Sequence, residues 1–197
     1  MVSLDLLSSF DGMIWLQSGK KVGALFEQHQ TTISRNQKKC AQAFGIKLQK
    51  ISSNWQPQSD SPLLQLERVV HQVARLLGKS RLRLDANRWL DSGLLNPAPA
   101  GWLVSSAKNG TTSHSLECLQ QRIVDVCLCP LNDLAIETKN LKRIELNSKR
   151  EIGVVVLQEH ANQERILDLI NMSDQASIIG ANQGSEAHSI ALNSTAD

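Results

Sequence analysis

Residues 20–43 contain two short helical segments separated by a tight turn, and this pattern constrains the fold more than any other in the sequence. The first segment runs from about Lys20 to Gln28, and the second from about Thr31 to Ala43. The first presents three apolar side chains on one side: Val22, Leu25 and Phe26. Gly23 lies at a point where a small residue allows two helices to cross closely. The pattern therefore predicts a helix-turn-helix.

The second segment has a polar and basic outer face. On a helical wheel, Ile33, Cys40 and Phe44 share an apolar face that we expect to be buried. The opposite face carries hydroxyl, amide and basic groups and no acid: Thr31, Arg35, Lys38 and Gln42, flanked by Ser34 and Lys39. Such groups contact phosphates and base edges, and the N-terminal turn of the helix enters the DNA groove most deeply. A basic amphipathic helix on a solvated surface is the alternative interpretation.

The charge is distributed unevenly along the chain. The formal net charge of the 197 residues is only +2. Residues 20–50 carry seven basic side chains and one acid, for a net charge of +6, and residues 61–90 carry +4. Residues 91–197 carry −5. The N-terminal half is thus a cation and the C-terminal half an anion, which indicates a module that binds a polyanion joined to an acidic part.

A longer helix is predicted over residues 62–77. Ser61 is a suitable N-cap, Pro62 fits the first helical position, and Gly78 is a typical stop. Apolar residues recur at spacings of three and four, as in a heptad seam: Leu63, Leu66, Val70, Val73 and Leu77. Two interpretations remain open, a helix packed against its own domain and a helix that forms a dimer.

The remaining segments divide the chain into parts. Residues 51–61 are rich in turn-forming residues and predict a loop or a wing. Strands are predicted over 81–85, 102–104, 124–129, 144–146, 152–157 and 176–179, with helices over 162–172 and after Ser113 or Ser115. Alternating strands and helices predict a single α/β lobe with a partly parallel sheet. The predicted boundaries are 1–60 for the DNA-binding domain, 61–79 for the linker helix, 80–180 for the lobe and 181–197 for a flexible polar tail.

The segment from Val22 to Leu48 resembles the N-terminal winged helix-turn-helix of LysR-type transcriptional regulators. The similar stretches are Val22-Gly23-Ala24-Leu25-Phe26, Gln30-Thr31-Thr32-Ile33-Ser34-Arg35 and Phe44-Gly45-Ile46-Lys47-Leu48. The spacing matches that of the family without a gap. The resemblance implies a fold of the α+β class with more than one domain: a winged helix-turn-helix, a linker helix and an effector region.

The resemblance also implies a function. The chain would be a sequence-specific DNA-binding regulator of transcription that binds double-stranded DNA as a homodimer or a higher oligomer. Carried over from the family, the residues expected to contact DNA are Gln30, Thr31, Thr32, Ser34 and Arg35. The positive charge of Lys20, Lys21, Lys38 and Lys39 adds these four as residues expected to neutralise DNA phosphates. The family's dimerising helix lies where Leu63, Leu66, Val70, Val73 and Leu77 occur, so these residues are the predicted dimer interface.

The sequence departs from the family at several positions. Gln28 and Gln37 occupy positions that are usually apolar, Cys40 replaces a leucine, and Gln49 replaces an aromatic residue. Residues 81–197 have room for about one lobe, whereas the family has two lobes with an inducer cleft between them, so a small-molecule effector stays uncertain. Residues 49–61 also lack the basic, threonine-containing pattern of the family's wing. Gln28, Gln37 and this weak wing favour the alternative function, a protein-interaction or sensor module with a degenerate helix-turn-helix that does not bind DNA, whereas the uneven charge favours the regulator.

Other classes of function find little support in the sequence. Four cysteines (Cys40, Cys118, Cys127 and Cys129) are too few and too unevenly spaced for a disulfide framework, so we expect a cytoplasmic protein. Cys127 and Cys129 are interpreted as small core residues, with a redox role as the alternative. The five histidines lack metal-binding spacing, and we expect no metal, cofactor or enzyme activity. No apolar run reaches the length of a membrane span, and the start lacks the basic region of a secretory signal.

Overall fold

The structure is a computed structural model that describes residues 2–86, 95, 97–106, 111–134, 140–146 and 152–173. Its described part is an α+β fold with a mixed parallel and antiparallel sheet. The coarse class predicted from the sequence is therefore confirmed. The strand predicted over 176–179 and the tail over 181–197 lie outside the described residues.

Three helices form the N-terminal part, α1 (Leu4–Leu16), α2 (Gly19–Leu25) and α3 (Gln30–Ala43). Helix α1 ends at Gln17, whose backbone is left-handed with φ 58°. Ser18 then caps α2 by accepting a hydrogen bond from the Lys21 amide. Helix α3 is followed by Gly45, whose backbone is left-handed with φ +64°.

A two-stranded antiparallel hairpin follows, with strands β1 (Leu48–Ile51) and β2 (Asn54–Pro57). Its turn consists of Ser52 and Ser53, which have φ 48° and 71°. A two-residue turn with two left-handed residues matches the twist of a hairpin. In the segment predicted as a loop or a wing, residues 51–57 thus belong to the hairpin, and residues 58–61 form neither helix nor strand. The strands were not predicted because Ser52 and Ser53 hold turn positions that Asn or Gly usually signals.

Helix α4 (Pro62–Leu76) begins and ends where the sequence predicts. The Ser61 hydroxyl accepts a hydrogen bond from the Leu64 amide at 3.3 Å. At the other end Gly78 is left-handed with φ +76°, and its amide donates to the Arg75 carbonyl. Gly78 thus terminates helix α4, and Lys79 and Ser80 follow it.

Within the described residues, a second sheet has five strands in the order β4-β3-β5-β7-β6. Strands β4 (Trp102–Ser105) and β5 (Val126–Pro130) both run parallel to β3 (Leu82–Ala86), so the prediction of a partly parallel sheet is confirmed. Strands β6 (Leu141–Glu145) and β7 (Ile152–Leu157) complete the sheet with antiparallel pairing.

Two further helices cover the sheet. Helix α5 (Thr112–Gln120) is capped by Thr111, whose hydroxyl accepts from the His114 amide, so the predicted cap at Ser113 or Ser115 is wrong. The N-cap lies two residues before Ser113, so both serines lie inside the helix. Helix α6 covers residues 164–173, close to the predicted range of 162–172.

Among the described residues, buried apolar side chains form two clusters, one on each face of the second sheet. On β5, Cys127 and Cys129 belong to the first cluster, and Val126 and Leu128 to the second. The first cluster continues into α1, α2, α3 and α5, and the second includes α6. The three N-terminal helices therefore pack in one core with the sheet.

Candidate nucleic-acid interface

The polar face of α3 is open to solvent. Eight of the nine residues predicted to lie at DNA are exposed: Lys20, Lys21, Gln30, Thr31, Ser34, Arg35, Lys38 and Lys39. Thr32, the ninth, is half-buried. On the opposite side of the helix Ile33 and Cys40 are buried and Phe44 is half-buried, which agrees with the helical wheel. Contact of the exposed residues with DNA stays a prediction.

The buried side of α3 packs mainly against α1. Ile33 and Cys40 share a core cluster with Phe10 and Ile14 of that helix. Burial raises the pKa of the Cys40 thiol to about 12, and the nearby Asp11 carboxylate acts in the same direction. The thiol is therefore neutral and serves as a small apolar group in this core. This packing fixes which face of α3 points outward.

The turn between α2 and α3 depends on a close backbone approach. A Cβ atom on Gly23 would lie 2.6 Å from the Gln28 carbonyl oxygen, too close for any larger residue without a shift. The Gln28 amide donates a hydrogen bond of 2.8 Å to the Gly23 carbonyl. The requirement for a small residue is confirmed, although its close neighbour is the turn and not the second helix.

A groove of about 540 Å³ opens between α1, the first residues of α2, helix α3 and the hairpin. Lys21 of α2 and Lys50 of the hairpin both line it. The other lining residues are Met13, Gln17, Ser18, Gly19, Gln30, Ile33, Ser34, Gln37 and Trp55. Two cations and several neutral donors thus share one concave surface beside the N-terminal end of α3, a composition suited to a phosphate backbone.

Helix α4 presents its apolar face to solvent. Leu63, Leu66 and Leu77 are 66%, 63% and 69% exposed. Val70 and Val73 are 49% and 43% exposed. All five are residues of the predicted seam, so the interpretation of a helix packed through this seam against its own domain is wrong. A contiguous exposed apolar surface of this kind is typical of an interface between proteins.

The buried face of α4 carries four polar residues, Arg68, His71, Gln72 and Arg75, which are between 1% and 6% exposed. Leu64 and Leu76 of the same helix are also buried. Arg68 donates two hydrogen bonds, of 2.9 and 2.7 Å, to Oδ1 of Asp11 in α1. Arg75 donates from Nε to Oδ2 of Asp125, just before β5, at 2.8 Å. Two buried ion pairs therefore attach α4 to the rest of the chain.

Arg83 of β3 links the same groups. Its backbone amide donates to Asp125 at 2.8 Å, and its guanidinium donates to Ser8 Oγ of α1 at 2.8 Å. The guanidinium also lies 5.4 Å from the centre of the Phe26 ring. Burial lowers the pKa of Arg83 to about 10, with the neighbouring cation Arg75 acting in the same direction. Because this pKa lies well above neutral pH, the side chain remains charged and joins α1, α2 and the sheet.

This buried ionic network is not predicted from the sequence. Arg68 and Arg75 are seven residues apart on the side of α4 opposite the apolar seam, a position that usually faces solvent. Their partners Asp11 and Asp125 lie 57 and 50 residues away in the sequence. No local sequence pattern signals these pairs, because each forms only when separate elements of the fold meet.

The described residues contain no group of three or more His, Cys, Asp or Glu side chains placed to hold a metal ion. All four cysteines are free and buried. In the same part of the chain, no helix combines the length and the apolar character needed to cross a membrane.

Solved structures to which this structure is similar include the following three. Full-length OxyR from Pseudomonas aeruginosa shares 14% sequence identity with a TM-score of 0.42, over 74% of this chain and 55% of that chain. CrgA from Neisseria meningitidis, a LysR-type transcriptional regulator, shares 15% with a TM-score of 0.36, over 74% and 54%. A probable transcriptional regulator from Pseudomonas aeruginosa shares 15% with a TM-score of 0.36, over 73% and 53%.

This chain spans about half the length of these three proteins. No family model matches the sequence, and a search of curated proteins finds no match.

Proposed function

We propose that this protein is a sequence-specific DNA-binding regulator of transcription of the LysR type that acts as a dimer. Helices α2 and α3 with the hairpin are the winged helix-turn-helix, and α3 is the helix that reads the major groove. Helix α4 is the linker through which two copies associate. DNA and a second copy of the chain are the partners in this proposal.

One observation carries the proposal of DNA binding, the exposed and acid-free outer face of α3. Arg35, Lys38 and Lys39 provide its positive charge, and all three are exposed. Glu27, the single acid between Lys20 and Lys50, precedes α3 and pairs with Arg81 at 3.1 Å. A helix with this surface attracts phosphates, and its hydroxyl and amide groups are able to bond base edges.

The exposed seam of α4 supports dimerisation. The seam spans the helix from Leu63 to Leu77, and its five members are each more than 40% exposed. Pairing two such faces would remove the apolar surface from water, which is the main favourable contribution to association. A symmetric dimer would place two α3 helices in successive major grooves, so the binding site would be a pseudo-palindrome.

The test is a selection of bound fragments from genomic DNA by the full chain, followed by fluorescence-anisotropy titration of the enriched sequence. We expect an enriched pseudo-palindromic site, a dimer mass in analytical ultracentrifugation, and an affinity that falls linearly with salt on logarithmic axes. If no sequence is enriched and no duplex binds in a salt-dependent way, the proposal is wrong. The alternative, an interaction or sensor module with a degenerate helix-turn-helix, would then hold.

A further inference from the structure

Gln17 connects the end of α1 to the hairpin. Its side chain is buried, and its backbone is left-handed with φ 58°. The side-chain Nε2 donates to the Trp55 carbonyl at 3.1 Å, and the side-chain Oε1 accepts from the Trp55 amide. The same Nε2 also donates to the Ile14 carbonyl in the last turn of α1. One amide therefore holds both backbone polar groups of a hairpin residue against α1.

Trp55 in turn positions a cation. Trp55 of β2 is paired with Lys50 of β1 in the hairpin register. The Lys50 Nζ lies 5.3 Å from the centre of the Trp55 ring, a cation–π distance. Stacking of this kind restricts a long flexible side chain to one side of the hairpin. The exposed Lys50 is thereby directed along the groove instead of moving freely in solvent.

Lys50 and Lys21 reach the same groove from different elements. Lys21 belongs to α2 and Lys50 to the hairpin, and Gln30 and Ser34 of α3 lie in the groove with them. A nucleic-acid backbone next to α3 would meet both lysines. Gln17 bonds the Trp55 backbone, and Trp55 carries Lys50 on its ring, so these contacts connect α1 to the lysine in the groove.

We propose that Lys50 is a phosphate-contacting residue and that Gln17 is the positioning residue that directs it to the DNA. The inference rests on the proposed function and adds one DNA-contacting residue, Lys50, and one positioning residue, Gln17, to those predicted from the sequence. It also assigns a role to the hairpin, which lacks the basic pattern of the family's wing. The hairpin contributes one lysine, held in place by Trp55 and Gln17.

A double-mutant cycle tests the inference. Lys50→Ala, Gln17→Leu and the double variant are titrated against the selected duplex at several salt concentrations. We expect Lys50→Ala to weaken binding about three- to tenfold at ~0.15 M salt and to reduce the salt slope by about one. In the Gln17→Leu background, Lys50→Ala is expected to weaken duplex binding by less than about twofold, because the lysine is no longer directed at the DNA backbone.

Lys39→Ala is the matched control. Lys39 is an exposed lysine on α3 that does not line the groove, so its loss is expected to weaken binding equally in the natural chain and in the Gln17→Leu variant. Circular dichroism and thermal unfolding check that each variant is folded. If Gln17→Leu does not fold, Gln17→Glu takes its place, because a carboxylate still accepts from the Trp55 amide but cannot donate to its carbonyl.

The outcomes are distinguishable. Equal losses from Lys50→Ala in both backgrounds, with binding by the natural chain intact, would overturn the role of Gln17. An unchanged salt slope in Lys50→Ala would overturn the phosphate contact. Absence of duplex binding by the natural chain would contradict the proposed function itself.

Discussion

Arg68 Nη2 lies 2.7 Å from Asp11 Oδ1, and both side chains are only 1% exposed. This pair joins α4 to α1. Arg83 adds a third charge, with its Nη1 3.8 Å from the other oxygen of Asp11. Removing charges from water is costly, and in such a group the cost is offset only while each charge keeps its partners.

Arg68→Met is therefore expected to lower the free energy of unfolding by about 3–5 kcal/mol, because it leaves Asp11 buried with a distant partner. The double variant Asp11→Leu/Arg68→Met is expected to lose less than this single variant. Urea unfolding followed by circular dichroism measures both. Arg81→Met is the control. Glu27, the partner of Arg81, is 76% exposed, so this variant is expected to lower the free energy of unfolding by less than about 1 kcal/mol. Similar losses for Arg68→Met and Arg81→Met would contradict the interpretation.

Charged residues on the seam of α4 are expected to separate the dimer without unfolding the subunit. Leu66→Lys and Val73→Lys place like charges in the predicted interface, yet both positions are exposed in the single chain. Analytical ultracentrifugation should show a shift towards monomer, while the thermal unfolding midpoint of the monomeric variant stays within a few degrees of that of a control. The exposed Gln65, on the same helix, provides that control as Gln65→Lys. A dimer that persists in both seam variants would place the interface elsewhere.

Arg35→Ala and Lys21→Ala are expected to affect DNA binding in different ways. Arg35 lies on the outer face of α3, where an arginine is able to bond a guanine edge, so its loss is expected to reduce the preference for the selected site by about 1–3 kcal/mol. Lys21→Ala is expected to weaken binding to all duplexes alike and to reduce the salt slope by about one. Anisotropy titrations on selected and random duplexes compare the two. Equal losses on both duplexes for both variants would contradict base reading by Arg35.

Gly23→Ala is expected to destabilise the fold by about 1–3 kcal/mol, because its Cβ would meet the Gln28 carbonyl oxygen at 2.6 Å. Gly19→Ala in the same helix is the matched control. There the nearest atom to a new Cβ is at 3.5 Å, an ordinary contact, so we expect a change within about 1 kcal/mol. Thermal unfolding of the two variants gives the comparison. Equal stability would mean that the turn relaxes without cost.

The four thiols are expected to resist modification in the folded protein. All four cysteines are buried, and burial raises the pKa of the Cys118 and Cys127 thiols well above the usual value. A neutral buried thiol is a poor nucleophile. Ellman's reagent at pH 8 should label none within minutes in the native state and all four after denaturation. Rapid labelling of a native thiol would restore the redox alternative for Cys127 and Cys129.

Local signals allowed most of the secondary structure to be predicted. Ser61, Pro62 and Gly78 predicted the two ends of α4, and alternating apolar residues predicted the strands of the mixed sheet. Thr111, Ser113 and Ser115 lie close together and all are able to cap a helix, so the sequence alone does not show that Thr111 is the N-cap. The hairpin was ambiguous because Ser52 and Ser53 carry no strong turn signal. The outer face of α3 was predictable because helical periodicity alone determines it.

The residues that hold the site in place could not be predicted. Gln17 and Trp55 are 38 residues apart, and Arg68 and Asp11 are 57 apart. Neither pair has a local pattern, because each arises only when separate elements meet. The sequence does not distinguish a glutamine or arginine that becomes buried from one that stays exposed, so contacts of this kind are seen only in the folded structure.

Because the N-terminal helices share a core with the sheet, truncating the protein between them would remove part of that core. Leu119 and Val155 pack in the same cluster as Phe10 and Ile33. A fragment ending near residue 60 would expose that side of the cluster to water and would leave Asp11 without Arg68. Such a fragment is expected to be poorly folded, so a failure of the isolated fragment to bind DNA would report lost packing and not the absence of a reading surface.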